Sequence, residues 1–296
     1  MKKTFIFLAL SFSSYLGADI YEEFARLTKS YELGEWPRLL EAGEQFLAEH
    51  KNSEYASKVH FYVAKSHFFA RDYDFANEEA GESLRMLNNE QFFEEVVALK
   101  FQCAEKLREG AYIHPFGVKS TPRIVSGKDL ALSIYEEILQ ISPKSDIGSR
   151  SLFHKGEILA EFGRHEDAVA DYQTLVRRFP SSALVGDAYV NIVSSYYDLS
   201  RGHNPDTDYL ELARIELRQF QRNYPLSPKL VAAEKLYHYI EDVYALDLFK
   251  SATYYEKKKK IASARMYYEK LLAQFPESSV APKAQSGLAR CSKNTK

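Results

Sequence analysis

Acid–base, metal and nucleophilic chemistry draw on histidines, carboxylates and thiols, and this 296-residue chain places few of them in productive spacing. His60 and His67 lie two helical turns apart on one face, but no third ligand type falls beside them at metal spacing. His165-Glu166-Asp167 has the composition of an acid–base cluster, yet it falls on a turn, where solvated polar residues are expected. Cys103 and Cys291 are far apart in sequence and read as small buried side chains on helix faces, not as a disulfide. A Gly-rich phosphate loop, G-x-S-x-G, H-E-x-x-H and C-x-x-C are all absent. No catalytic residue, metal or cofactor is expected. A formal net charge of -2 gives no reason to expect nucleic acid as a partner.

The chemistry in ample supply is aromatic: 14% of residues, with 21 Tyr, 19 Phe and a single Trp. The elements that must hold these rings are helices, because 13 Gly and 10 Pro are few for this length. Leu152–Pro180 reads as two helices joined at Gly163. Gly156 and Ala168 are small enough for close approach, Tyr172 and Leu175 fill the space beside them, and Pro180 ends the second helix. This spacing resembles the tetratricopeptide repeat. The small position recurs at Leu39, Ala76, Ala131, Ala168, Ala213 and Ala264. Every interval exceeds the plain period of about 34 residues, so each unit carries extra residues. Terminating prolines recur in Ser142-Pro143, Phe179-Pro180, Tyr224-Pro225 and Phe275-Pro276, and serines after three of them are placed to accept from the next helix's free N–H groups. The expected fold is an all-α tetratricopeptide-repeat α-solenoid of about six helix pairs, with a C-terminal capping helix near Val280–Cys291.

Lys2 and Lys3, the apolar run Thr4–Leu16 and the small residues Leu16-Gly17-Ala18 read as a secretory leader. Asp19 follows, so no cysteine is available for acylation, and export to the periplasm without a lipid anchor is expected. The organisation is then a leader over 1–18, N-terminal units over 19–112, an irregular loop over 113–127 and C-terminal units over 128–296. The loop lies in Ala111–Gly127, whose His114-Pro115, Gly117 and Thr121-Pro122 exclude continuous helix; a mobile and a contact-making loop are equally consistent with it. A second insertion, Arg201–Asp206, separates Tyr189–Leu199 from Tyr209–Arg222. Lys229–Lys258 is an unusually long helix without Pro or Gly.

In tetratricopeptide arrays the first helix of each pair lines the concave groove. Counting along those helices gives Tyr21, Phe24, Tyr31, Lys58, Phe61, Lys65, Phe68 and Phe69, then Arg150, Phe153 and Tyr197. Aromatic rings among Lys and Arg suit an extended aromatic, anionic peptide, such as one ending in a carboxylate. The alternative for each ring is packing between repeats. Lys257, Lys258, Lys259 and Lys260 read either as a solvated turn favouring the helix C-terminus or as a dock for an acidic partner or anionic membrane surface.

The second half carries a more specific likeness. Phe179-Pro180-Ser181-Ser182, a Tyr-rich helix, an Asn204-Pro205 insertion and Tyr224-Pro225-Leu226-Ser227-Pro228 precede the long helix. That helix ends Ala252-Thr253-Tyr254-Tyr255-Glu256-Lys257, and Ala262-x-Ala264-Arg265-x-x-Tyr268 and Phe275-Pro276-Glu277-Ser278 follow. Over about Lys128–Cys291 this resembles the BamD family, the tetratricopeptide component of the outer-membrane β-barrel assembly machine. The resemblance implies a non-catalytic scaffold docked through its C-terminal units, with Tyr254, Tyr255, Lys257–Lys260 and Arg265 as candidate contacts to a BamA-like assembly protein. It further implies that the N-terminal groove receives unfolded outer-membrane protein segments, and that the chain associates peripherally with the outer membrane. Asp19 stands where the family has its lipidated cysteine, and Leu248 where it usually has a glutamate. The alternative is another periplasmic tetratricopeptide interaction protein coordinating envelope or peptidoglycan processes, although no heptad run precedes the repeats. A peptidoglycan-active enzyme would need a catalytic domain for which the repeats leave no room.

Overall fold

In the computed structural model, residues 19–87, 92–202 and 208–293 are described. The leader, most of the Arg201–Asp206 insertion and the terminal 294–296 fall outside them. The helices are α1 (19–32), α2 (Trp36–His50), α3 (Ala56–Phe69), α4 (Tyr73–Arg85), α5 (Phe93–Arg108), α6 (Lys128–Ile141) and α7 (Asp146–Glu161). They continue with α8 (His165–Arg178), α9 (Val185–Ser200), α10 (Tyr209–Asn223), α11 (Leu230–Lys257), α12 (Ile261–Gln274) and α13 (Ala281–Lys293). Successive helices pair, α1 with α2 through α11 with α12, and α13 closes the array. The fold is an all-α tetratricopeptide-type solenoid. Its chain divides into two compact units, through Ser151 and from Leu152.

One turn recurs at the ends of first helices. Gly34, Arg71, Gly163 and Lys259 have φ of 69°, 64°, 75° and 60°, the left-handed region that closes a helix C-terminus. Each is followed by a residue whose N–H reaches back five positions, as in Glu35 to Ser30, Asp72 to His67, Arg164 to Leu159 and Lys260 to Tyr255. Glycine takes this conformation at no steric cost; Arg71 and Lys259 adopt it under the same hydrogen-bond pattern. Second helices end differently. Ser142, Phe179, Tyr224 and Phe275 sit at φ between -128° and -137° with ψ of 55° to 60°, since each precedes a proline that disfavours the helical region. Ser182 and Ser227 then accept from the N–H groups of Leu184 and Lys229, whereas Ser278 donates to the Phe275 carbonyl.

The second unit is packed by tyrosines in glycine notches. A Cβ on Gly156 would lie 2.7 Å from the Tyr172 ring, and one on Gly287 2.4 Å from the Tyr268 ring. Tyr172 is 1% exposed and Tyr268 is wholly buried, so Gly156 faces the Tyr172 ring itself. The hydroxyls are satisfied: Tyr172 accepts from Asn191 at 3.2 Å, and Tyr268 donates to Glu256 at 2.7 Å, which Arg290 also binds. Cys103 and Cys291 are both buried thiols.

The Ala111–Gly127 segment makes contacts. Tyr112–Ile113 pairs antiparallel with Val125–Ser126, forming β1 and β2, around a short 3-10 turn at Pro115–Gly117. It is latched to the first two repeats by its side chains. The His114 N–H and ring Nδ1 lie 3.0 and 2.9 Å from Asp74 Oδ2, Arg123 donates to the Arg71 carbonyl at 2.7 Å, and Lys119 pairs with Glu44 at 2.9 Å.

Candidate functional site

The first unit gathers an aromatic run where α1 meets α3. Spacing of seven along α3 and its N-terminal flank aligns Tyr55 and Tyr62, and the same spacing along α1 aligns Phe24 and Tyr31, so four rings interleave. Phe24 stacks on Tyr55 with centroids 4.4 Å apart, and Tyr31 stacks on Tyr62 at the same distance. The run continues through Trp36, edge-on to Tyr31 at 5.9 Å, to Phe69, stacked on Trp36 at 4.1 Å. Tyr62 forms its floor at 2% exposure, with its hydroxyl 3.3 Å from that of Thr28. Phe24, Tyr31, Tyr55 and Trp36 are half-buried, while Tyr21 and Phe69 are 57% and 52% exposed. Offset ring pairs of this kind hold one another in place and leave their outer faces open to a ligand.

The groove candidates separate by burial. Phe24, Tyr31, Lys65, Phe68 and Phe69 contribute partly open surface, and Lys58 is exposed. Phe61 and Phe153, at 3% and 7% exposure, are core residues instead: Phe61 packs among Tyr31, Tyr62 and Phe92, and Phe153 against Tyr172. Their helices turn these rings between repeats, so neither offers surface to a peptide. Arg150 is exposed with its guanidinium 4.5 Å from the Phe101 ring, a cation–π contact. In the second unit Tyr197 is half-buried beside Tyr239, with Arg201 over its ring at 5.5 Å.

The electrostatics of the aromatic run are mixed. Burial lowers the Lys65 pKa against the opposing pull of Glu95, and its Nζ sits 5.8 Å from the Phe61 ring. Burial, and then Glu95, raises the Tyr31 pKa. A carboxylate therefore faces the cationic end of the groove. Tyr55, Tyr62, Trp36 and Glu95 were not among the sequence candidates. The period-seven match of Tyr55 and Tyr62 with Phe24 and Tyr31 was the available signal for the two tyrosines.

At the C-terminal end Tyr254 is 57% exposed, edge-on to Tyr255, with Lys258 Nζ 5.8 Å from its ring. Tyr255 stacks on Tyr267 at 5.4 Å. Lys257–Lys260 are all exposed, and Lys259 is the left-handed residue of the helix-closing turn. Arg265 is exposed and bound to Glu269 at 2.8 Å.

The clusters first considered for chemistry have structural contacts. His60 lies 2.7 Å from Glu79, Glu166 accepts from Tyr209, and Asp167 pairs with Arg164. Among the described residues no group of three or more His, Cys, Asp or Glu could hold a metal ion, and no helix is long and apolar enough to cross a membrane.

Comparison with known proteins fits this architecture. The tetratricopeptide repeat model matches residues 150–182 and 248–278, the pairs that carry Gly156–Tyr172 and Tyr268. No curated protein is matched by the chain. Among solved structures, YrrB, described as a tetratricopeptide protein with an unusual peptide-binding site, is 16% identical over 72% of this chain and 90% of its own, with a TM-score of 0.39. A tetratricopeptide repeat protein from Parabacteroides merdae is 10% identical over 92% and 99%, with a TM-score of 0.40. The TPR2AB domain of yeast Sti1, described as a pHSP90 complex, is 15% identical over 76% and 87%, with a TM-score of 0.32. The chain carries tetratricopeptide repeats, the architecture of a protein-interaction scaffold.

Proposed function

We propose that this chain is a periplasmic scaffold of outer-membrane β-barrel assembly, exported by residues 1–18 and associated peripherally with the outer membrane. The α1–α3 aromatic run holds an extended client segment, and the last repeats dock a BamA-like assembly protein through Tyr254, Tyr255 and the Lys257–Lys260 turn. The observation that carries the binding part is the set of half-open stacked rings from Tyr55 to Phe69, with Lys58 and Lys65 on the same helix. Such rings present large apolar faces at small entropic cost, and the lysines favour a carboxylate-ended client. The resemblance over Lys128–Cys291 supports the assembly role.

Calorimetry tests both contacts on the mature chain. A peptide ending in an aromatic residue with a free carboxylate should bind, and Tyr31→Ala or Phe69→Ala should each cost about 1–3 kcal/mol of that affinity. The periplasmic domains of the cognate assembly protein should bind independently of those substitutions and weaken when Lys257–Lys260 are changed to serine. Peptide binding without partner binding would leave a peptide scaffold and remove the assembly role. Unchanged peptide affinity in both ring variants would remove the groove.

A further inference from the structure

A cavity of about 780 Å³ opens between α8, α9 and α10, wholly within the second unit. Two buried polar groups meet in it. Glu216 is only 8% exposed; its Oε1 accepts from Gln173 at 2.7 Å, and its Oε2 has no hydrogen bond. Tyr189 is 1% exposed, and its hydroxyl makes no hydrogen bond of normal geometry, with the Asn223 amide beside it. Burying the Tyr189 hydroxyl without a partner is costly, which an apolar residue at that position would avoid. Aromatic walls complete the cavity: Tyr189 stacks on Phe220 at 4.6 Å and is tilted against Tyr224 at 6.0 Å.

We propose that this cavity binds a primary ammonium group, presented as a lysine side chain flanked by acidic residues in an extended peptide. An ammonium has three donors and no acceptor, which matches the idle Glu216 Oε2 and Tyr189 Oη, and it gains from neighbouring aromatic faces. Arg177 and Arg222 line the same cavity and are exposed. They repel a bare cation and attract the acidic flanks, which sets the ligand's charge pattern. Neither arginine neutralises the carboxyl group. Burial raises the Glu216 pKa, and the Gln173 hydrogen bond is what lowers it. This site is separate from the aromatic run of the first unit and stands or falls independently of it.

The test uses the purified chain and a fluorescein-labelled peptide with one lysine between glutamates, read by anisotropy near neutral pH. The lysine peptide should bind, and the same peptide carrying Nε-acetyl-lysine should bind at least about tenfold more weakly, since it has lost the charge. Glu216→Gln should weaken the lysine peptide by about the same factor, and lowering pH should weaken it as Glu216 takes up a proton. Equal binding of the two peptides overturns the proposal, as does no binding of either. Retained affinity in Glu216→Gln also overturns it. Should that variant fail to fold, Tyr189→Phe keeps the ring and decides the matter: the affinity for the lysine peptide must fall, and an unchanged value overturns the site.

Discussion

Two sets of aromatic rings, one in each unit, are used in opposite ways. In the second, Tyr172 and Tyr268 are sunk into notches made by Gly156 and Gly287, with ring and hydroxyl both accounted for inside the protein. In the first, Phe24, Tyr31, Tyr55 and Trp36 lean on one another and stay half-open. A ring in a notch is committed to holding helices together. A ring stacked at the surface still has a face to give. Aromatic content alone therefore says little about binding; the residue across the helix interface decides whether a ring is structural or available.

The contrast breaks most readily at its largest effect. Tyr172→Ala should empty a closed notch and cost about 3–5 kcal/mol of stability, whereas Tyr31→Ala should cost about 1–2 kcal/mol because solvent already reaches the ring. Urea midpoints of the two variants check this, and similar losses would erase the distinction.

The glycines sharpen it. Gly287→Ala drives a methyl to 2.4 Å from the Tyr268 ring. The overpacking cost of about 1–3 kcal/mol should outweigh the helix-propensity gain of about 1 kcal/mol. At Gly81 in α4 the nearest atoms to a new Cβ are side-chain nitrogens 3.8 Å away, an ordinary contact distance, so Gly81→Ala should keep most of that gain and stabilise. Opposite signs of the melting-temperature shifts are expected; the same sign for both would show that the notch yields.

The smallest effect is electrostatic and belongs to the first unit. His67 is 3% exposed, its Nδ1 has no hydrogen-bond partner, and burial, then Lys119, lowers its pKa against Asp72, Glu44 and Glu79. A folded pKa below the unfolded value of about 6.5 means the unfolded chain binds the proton first. The contribution is thus complete above that pH and is lost as pH falls through it toward the folded value. His67→Phe should flatten this acid-side loss by under about 1 kcal/mol in denaturant titrations at pH 7.5 and 5.5. An identical loss in the variant would place the acid sensitivity elsewhere.

Much of the architecture was legible because it rests on local rules. Pro143, Pro180, Pro225 and Pro276 force the residue before each out of the helical region, and the four helix ends are nearly superimposable in φ and ψ. The small positions Ala131, Ala168 and Ala264 mark the buried face one turn before Tyr135, Tyr172 and Tyr268. Position counting along first helices was less able to sort groove from core. It named Phe61 beside Lys58 and Lys65, with which it does share a helical face, but Phe61 lies on the edge of that face that packs against Tyr62 and Phe92. The helical period fixes relative direction along one helix, not where the neighbouring helix lies.

By itself the sequence determined the helix pairs, their ends and their small-residue contacts, since these depend on backbone restrictions and side chains within a turn or two. The tertiary structure alone decided that Gly156 receives the Tyr172 ring, that the loop after α5 is latched by His114 and Arg123, and that Glu216 and Tyr189 share a cavity. Those outcomes join residues across separate helices, where packing geometry and the cost of burying polar groups, not spacing along the chain, set what meets what.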